Sequence, residues 1–389
     1  MTSSSRFLFS NGLVSHSSTT PPVTTFLESH PGAYTTTRSH NNGSCLLFWD
    51  RHLNRLSNSA RILFNSNPHL LFNFPNSTEK SLSLPPLPIW DSAVKALVDD
   101  SARKVLPVAL RERKDGEELA VTALVSGDSQ RLRKIENLSG RSVVEVLDVC
   151  VHIASYVPPV CGLRENGARL AVVGHGRDIA EAKYSDWVRL RKPLENLRPP
   201  SVTELLLSND GDQILEGCLT NFFVVCRKEN NETKGKYFHN NESACDVEQE
   251  RSDFNTAAAC PFEVQTAPIS DGVLPGVIRQ LVIEVCISKG IPVREVAPLW
   301  SRREFWQEAF ITSILLVVST LFGSRKFLIA EILLVITQVT LVCLSLIDFL
   351  TSIRMKNLAG VKCQIMFVCN FHSHHLLALQ FLLYFWKEG

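Results

Sequence analysis

The segment from Leu205 to Val225, LLLSNDGDQILEGCLTNFFVV, constrains the fold more than any other stretch of the chain. An apolar run, Val202–Leu207, meets Ser208-Asn209-Asp210-Gly211, residue types that tolerate the positive φ of a chain reversal. Apolar residues resume at Ile214–Leu215 and at Asn221–Val225. The order predicts a strand, a turn and a returning strand. Glu216-Gly217 and Thr220-Asn221 fall at the start of that second strand. A carboxylate beside a glycine can approach a ligand closely, although a lone Glu-Gly pair is more often an ordinary turn.

Around this segment the periodicities alternate between helix and strand. Leu53, Leu56, Ala60 and Leu63 recur at helical spacing within residues 46–64, and Ile89 to Val105 repeats that pattern. Leu119–Val125 and Val143–Ile153 read as strands of a mixed sheet. Pro158-Pro159 and the polar run Arg164–Gly167 then suggest a boundary. Beyond it, Leu170–Val173 reads as a strand and Glu181–Leu197 as a helix split by Pro193. Phe262–Thr266, Ile291–Val296 and Ala309–Ile311 read as further strands. Pro275-Gly276 introduces a helix whose buried face is Val277, Leu281, Val282 and Val285. The expected organisation is a flexible N-terminal segment, 1–26; a small α/β domain, 27–160; a second domain, 161–313, with a polar insertion at 227–258; and an apolar tail, 314–389.

Composition limits the functional classes. With 40 basic and 39 acidic side chains the net charge is +1, which excludes nucleic acid as a dominant partner. The 11 cysteines include no Cys-x-x-Cys pair and several lie in apolar runs, as expected of reduced thiols inside a cell. Cys363, Cys369, His372, His374 and His375 match no zinc-finger spacing. The first 20 residues are rich in hydroxyls and lack a secretory apolar core, so the expected location is cytoplasmic, with a plastid as the alternative. The tail holds 16 uncharged residues at Ile332–Ile347. Extended to 327–350, it is long enough for a membrane-spanning helix, with Glu331 counting against one. A membrane enters the reading only through this tail.

Three local features can carry chemistry. Glu216-Gly217 is the first. The second is the helix start after Gly276, where the unpaired amides of Val277 and Ile278 and the helix dipole favour an anion. The third is Arg55, whose guanidinium can clamp a phosphate with two hydrogen bonds. Each has an ordinary structural reading when taken alone. Gly174-His175-Gly176-Arg177-Asp178 follows a strand but lacks the third glycine of a dinucleotide fingerprint, and it reads as a turn.

In this order and spacing the features resemble the class IV, or fold-type IV, pyridoxal-phosphate aminotransferases. The residues that carry the resemblance are Arg55-Leu56, a lysine upstream of 204, Glu216-Gly217-Cys218-Leu219-Thr220-Asn221, and Leu274-Pro275-Gly276-Val277-Ile278-Arg279. It spans roughly residues 25 to 313 and is nearest to the plant branch, similar to branched-chain and D-amino-acid aminotransferases. The resemblance implies an α+β fold in which a small domain and a pseudo-barrel domain hold pyridoxal 5'-phosphate between them. It also implies a homodimer acting on an amino acid and a 2-oxo acid.

The resemblance further implies roles for individual residues. The lysine that links to the cofactor is Lys183 or Lys192, with Lys183 the better fit. Glu216 faces the pyridine nitrogen. Arg55, the amides of Val277 and Ile278, and Thr312 hold the phosphate, and Tyr34 lies near the substrate. A lyase of the aminodeoxychorismate type on the same cofactor is the alternative activity. Two departures stand out. The family often has threonine at the position of Ile278, and its pattern stops at Ser313. The sequence beyond resembles translated non-coding sequence, so an inactive variant with a membrane-associating tail is the third reading.

Overall fold

The computed structural model describes residues 6–10, 13–15, 20–72, 84–135, 139–158, 168–227, 262–315 and 319–322. The first six strands are β1 (Arg6–Ser10), β2 (Leu13–Ser15), β3 (Ala33–His40), β4 (Cys45–Leu46), β5 (Glu118–Gly127) and β6 (Leu147–Tyr156). They form one antiparallel sheet in the order β2-β1-β6-β5-β3-β4. A second sheet contains β7 (Leu170–Val172), β8 (Glu204–Leu207), β9 (Glu216–Gly217), β10 (Asn221–Arg227), β11 (Phe262–Thr266), β12 (Val293–Glu295), β13 (Trp306–Thr312) and β14 (Ser319–Phe322). Its order is β12-β11-β10-β9-β8-β7, with β13 beside β10 and β14 beside β13. The pairs β7–β8 and β11–β12 are parallel.

Helices cover both faces of the first sheet. The principal ones are α1 (Val23–Ser29), α2 (Trp49–Ser66) and α3 (Leu87–Glu112), and the short α4 (Ser129–Arg133) and α5 (Gly140–Val146) lie between β5 and β6. Between β7 and β8 come α6 (Trp187–Leu190) and α7 (Lys192–Asn196), and α8 (Val277–Ser288) precedes β12. Alternation along β5 and β6 turns Val121, Ala123, Val125, Val149, Val151 and Ile153 to one face. Leu56, Ala60 and Leu63 of α2 and Trp90, Val94, Val98 and Val105 of α3 join the same core. Phe26 and Leu27 of α1 pack with Leu124 and Cys150 from the opposite face. In the second sheet, β10 is buried on both sides, which is why Asn221–Val225 reads as an unbroken apolar run. Phe223 and Val225 meet α8 through Val277, Leu281, Val282 and Val285. Phe222 and Val224 pack with Leu206, Ile214 and Ile311. The ion pair Arg51–Glu284, 2.8 Å, joins α2 to α8.

The structure departs from the sequence reading at several elements. The N-terminal segment, read as flexible, supplies β1, which pairs with β6 and buries Phe7 and Phe9. Its partner lies some 140 residues away, so no local pattern announces it. Val143–Val146, read as strand, is the end of α5, and the strand starts at Leu147. A capping box between Ser139 and Ser142 nucleates that helix despite its β-branched residues. The helix α3 continues past Val105 and through Pro107. The missing backbone donor there is offset by burial of Leu106 and Ala109. Glu181–Leu197 is not one split helix but a turn-rich stretch, with Tyr184 bridging to Ala33, followed by the two short helices α6 and α7. The reversal between β8 and β9 is an eight-residue loop, 208–215, rather than a tight hairpin, and Gln213 bridges to Leu299 within it. The domain boundary near 159–167, most of the insertion and the candidate span 327–350 lie outside the described residues. Among those that are described, no helix is long and apolar enough to cross a membrane.

Candidate active site

Lys183 lies in a short irregular segment pinned on both sides. Its carbonyl accepts from the Tyr34 amide at 2.9 Å, and its own amide donates to Ser59 Oγ at 3.0 Å. Ser185 donates to Gly32 O at 2.9 Å, and Tyr184 bridges to Ala33. The residue at 32 has φ +152°, and a Cβ there would sit 2.3 Å from Val125 O, so the position requires glycine. The segment thus docks on the start of β3, and the lysine side chain reaches a cleft.

Tyr34, Lys183 and Glu216 all line that cleft, together with Arg177, Trp187, Arg191, Leu219, Thr220, Asn221 and Leu274. Lys183 Nζ stands 4.7 Å from the centre of the Tyr34 ring. The other candidate lysine is elsewhere: Lys192 Nζ pairs with Glu28 at 2.8 Å, and its side chain is exposed.

Glu216 is held rigidly. Its Oε1 accepts from Arg177 Nε at 2.9 Å and Nη2 at 2.5 Å. Its Oε2 accepts from the Leu274 amide at 3.0 Å and from Asn221 Nδ2 at 3.4 Å. Arg177 in turn lies 5.3 Å over the Trp187 ring, and Trp187 Nε1 donates to Cys218 O at 2.9 Å. Burial pushes the Glu216 carboxyl up, while the Arg177 charge and the donors on Glu216 oppose that push.

Burial also brings Lys183 down to about 8. The charges of Arg55, Arg177 and Arg191 add to that effect, and Tyr34 opposes it. Burial alone would raise the Tyr34 phenol, but Lys183, Arg191 and Arg177 outweigh it and lower the value. Near neutral pH the lysine is therefore mainly an ammonium that loses its proton readily. The rate at which the cofactor-free protein captures an aldehyde should rise with pH through a midpoint near 8. A midpoint at the ordinary lysine value, measured by rapid-mixing absorbance, would remove this assignment.

The remaining sequence-derived residues flank the cleft rather than line it. Arg55, on α2, donates to Thr35 Oγ1 at 2.8 Å beside the buried His52, and its charge acts on Lys183. Burial lowers Arg55 to about 10. Val277 and Ile278 open α8, whose N-terminus has no side-chain cap. The Gly276 that precedes them is tightly enclosed: a Cβ there would lie 2.0 Å from Asn221 Oδ1. Thr312 ends β13 opposite Asn221.

Residues that the sequence pattern does not single out also shape the cleft. The sequence puts Arg177 within a turn, and the backbone does turn there, with Gly174 at φ +72°. Its buried side chain nevertheless reaches Glu216. Trp187 and Arg191 fall in a stretch that reads as one helix, and no local pattern marks either of them.

Two buried donors, Thr312 Oγ1 and Arg55 Nε, have no hydrogen-bond partner among the described residues. A buried donor without a partner is costly, so each of these atoms is suited to an anionic acceptor. With the uncapped start of α8, the chemistry suits a phosphate.

The family model for amino-transferase class IV matches residues 32–318, well over half of the chain. The chain belongs to amino-transferase class IV. It is an enzyme, an aminotransferase that uses pyridoxal phosphate. The match ends five residues past the Ser313 expected from sequence. No curated protein matches the sequence. Among solved structures, a branched-chain aminotransferase from Thermoproteus uzoniensis with norvaline is similar at 19% identity, with a TM-score of 0.49, covering 82% of this chain and 87% of that one. A putative branched-chain aminotransferase from Thermotoga maritima gives 16%, 0.44, 81% and 86% for the same measures. A hypothetical aminotransferase from Mycobacterium tuberculosis in its pyridoxal-phosphate-bound form gives 16%, 0.47, 82% and 90%.

Proposed function

We propose that the chain moves the amino group of an amino acid with a neutral aliphatic side chain, of the branched-chain type, to a 2-oxo acid, with Lys183 as the group that links to the cofactor and carries the proton. The observation behind this reading is that Lys183 and Glu216 line one cleft, though 33 residues apart in sequence. Tyr34, Trp187, Leu219 and Leu274 offer the substrate side chain an apolar wall.

Bound there, pyridoxal phosphate supplies an aldehyde carbon that accepts the amino group and a ring that withdraws electrons from the substrate α-carbon. The protein residues do the rest. Lys183 Nζ takes the proton from the substrate α-carbon, a role suited to an amine whose affinity for protons is lowered to about 8. Glu216 holds negative charge toward the ring nitrogen, and Arg177 fixes its orientation. Arg55, Thr312 and the amides of Val277 and Ile278 anchor the phosphate.

The test is a spectrum of the purified holoprotein before and after a panel of L- and D-amino acids, followed by assay of the 2-oxo acid formed. Branched-chain L-amino acids should bleach the visible band and yield the matching oxo acids. A response confined to D-amino acids would instead assign D-specificity, and a protein that holds no cofactor would overturn the proposal.

A further inference from the structure

Three cations line the cleft, and two of them, Arg177 and Arg191, are paired with carboxylates. Arg177 is neutralised by Glu216. Lys183 is taken up by the chemistry. Arg191, 8% exposed and lining the same cleft, is engaged along one edge only. Its Nε donates to Glu195 Oε1 at 2.7 Å, and that carboxylate is itself 36% exposed at the rim. The two terminal nitrogens of the guanidinium make no hydrogen bond among the described residues. A guanidinium with its outer edge free in a cleft is a geometry for a carboxylate.

Position decides which carboxylate. The Arg191 charge acts on both Lys183 and Tyr34, so the guanidinium stands within electrostatic reach of the amine that must meet the substrate α-carbon. The carboxylate one bond from that carbon is the one it can serve. The peptide frame is firm as well, because Arg191 N donates to Trp187 O at 3.0 Å, and Trp187 is fixed by Cys218. We infer that Arg191 receives the α-carboxylate of the amino acid, binding every substrate in one orientation whatever its side chain. This rests on the aminotransferase reading above and names a residue that would set that orientation.

The test uses the full-length holoprotein and two variants, Arg191→Gln and Arg191→Lys. One readout needs no turnover: calorimetric affinity for 3-methylbutanoate, a carboxylate with no amino group to react. The other is KM and kcat for neutral and acidic amino acids. Charge-assisted hydrogen bonds of this kind correspond to about 10- to 100-fold in affinity. Arg191→Gln should weaken 3-methylbutanoate and raise KM for neutral and acidic substrates alike by about that factor, with kcat falling less and cofactor absorbance unchanged. Arg191→Lys should recover part of the loss, since it keeps the charge but not the planar fork.

Unchanged affinity for 3-methylbutanoate in both variants overturns the inference. So does a loss confined to acidic substrates, which would put Arg191 at the side chain instead. Wild-type protein that lacks the cofactor defeats the aminotransferase reading. Cofactor-loaded variants with wild-type carboxylate affinity defeat only the role of Arg191.

Discussion

Lys183→Ala should abolish covalent retention of the cofactor and lower turnover by on the order of 10²–10⁴-fold through loss of proton transfer alone. Borohydride treatment should fix the cofactor permanently to the wild-type chain at residue 183 and to no residue of the variant. The fold should survive, because the contacts that hold this segment come from its backbone: Tyr34 N, Ser59 Oγ and the neighbouring Ser185 amide. A small primary amine added to the variant should restore part of the activity, since the lost group is an amine. Peptide mapping checks the outcome directly. A reduced adduct at Lys192 would overturn the assignment, and its exposed side chain already paired with Glu28 argues against that result.

Arg177→Met is expected to lower stability by about 3–5 kcal/mol, because it strands the Glu216 charge in the interior. The two side chains are 4% and 2% exposed, so solvent cannot take over from the lost partner. In thermal unfolding this corresponds to a fall in midpoint of roughly 10 °C. The double variant Arg177→Met/Glu216→Gln should regain most of the loss, since a neutral amide can still accept from the Leu274 amide. A single variant within about 1 kcal/mol of wild type would show that the pair does not organise the cleft. Loss of cofactor affinity in both variants would accompany the stability changes, because both disturb the carboxylate proposed to face the ring nitrogen.

The parts of this molecule that are legible in sequence are those whose signals are local. Helix α2 and the start of α8 follow from spacing and from Pro275-Gly276, and both begin within a few residues of where the patterns place them. Glu216 through Asn221 is legible because the strand that positions the carboxylate is its own continuation. The non-helical backbone at Lys183 is not legible: it is held by Gly32 and Tyr34, some 150 residues earlier, against the helical spacing of residues 181–197. Arg177 is hidden for a related reason. A turn-forming sequence fixes its backbone, but only the tertiary fold brings Glu216 within reach of its side chain. The helix at Gly140–Val146 does carry a signal, Ser139 and Ser142 at capping-box spacing, and the β-branched residues after it draw the reading to strand.

The strand β14 has a consequence for the apolar tail. It begins at Ser319, just past the residues matched by the family, and runs antiparallel along β13, the strand that carries Thr312. A border strand of this kind is recruited through main-chain amides and carbonyls, which every sequence but proline possesses. The open edge of β13 can therefore be covered by a peptide of almost any sequence, provided that it extends. A chain cut short after Ile314 would leave those main-chain groups as an adhesive margin, inviting one molecule to pair with the next.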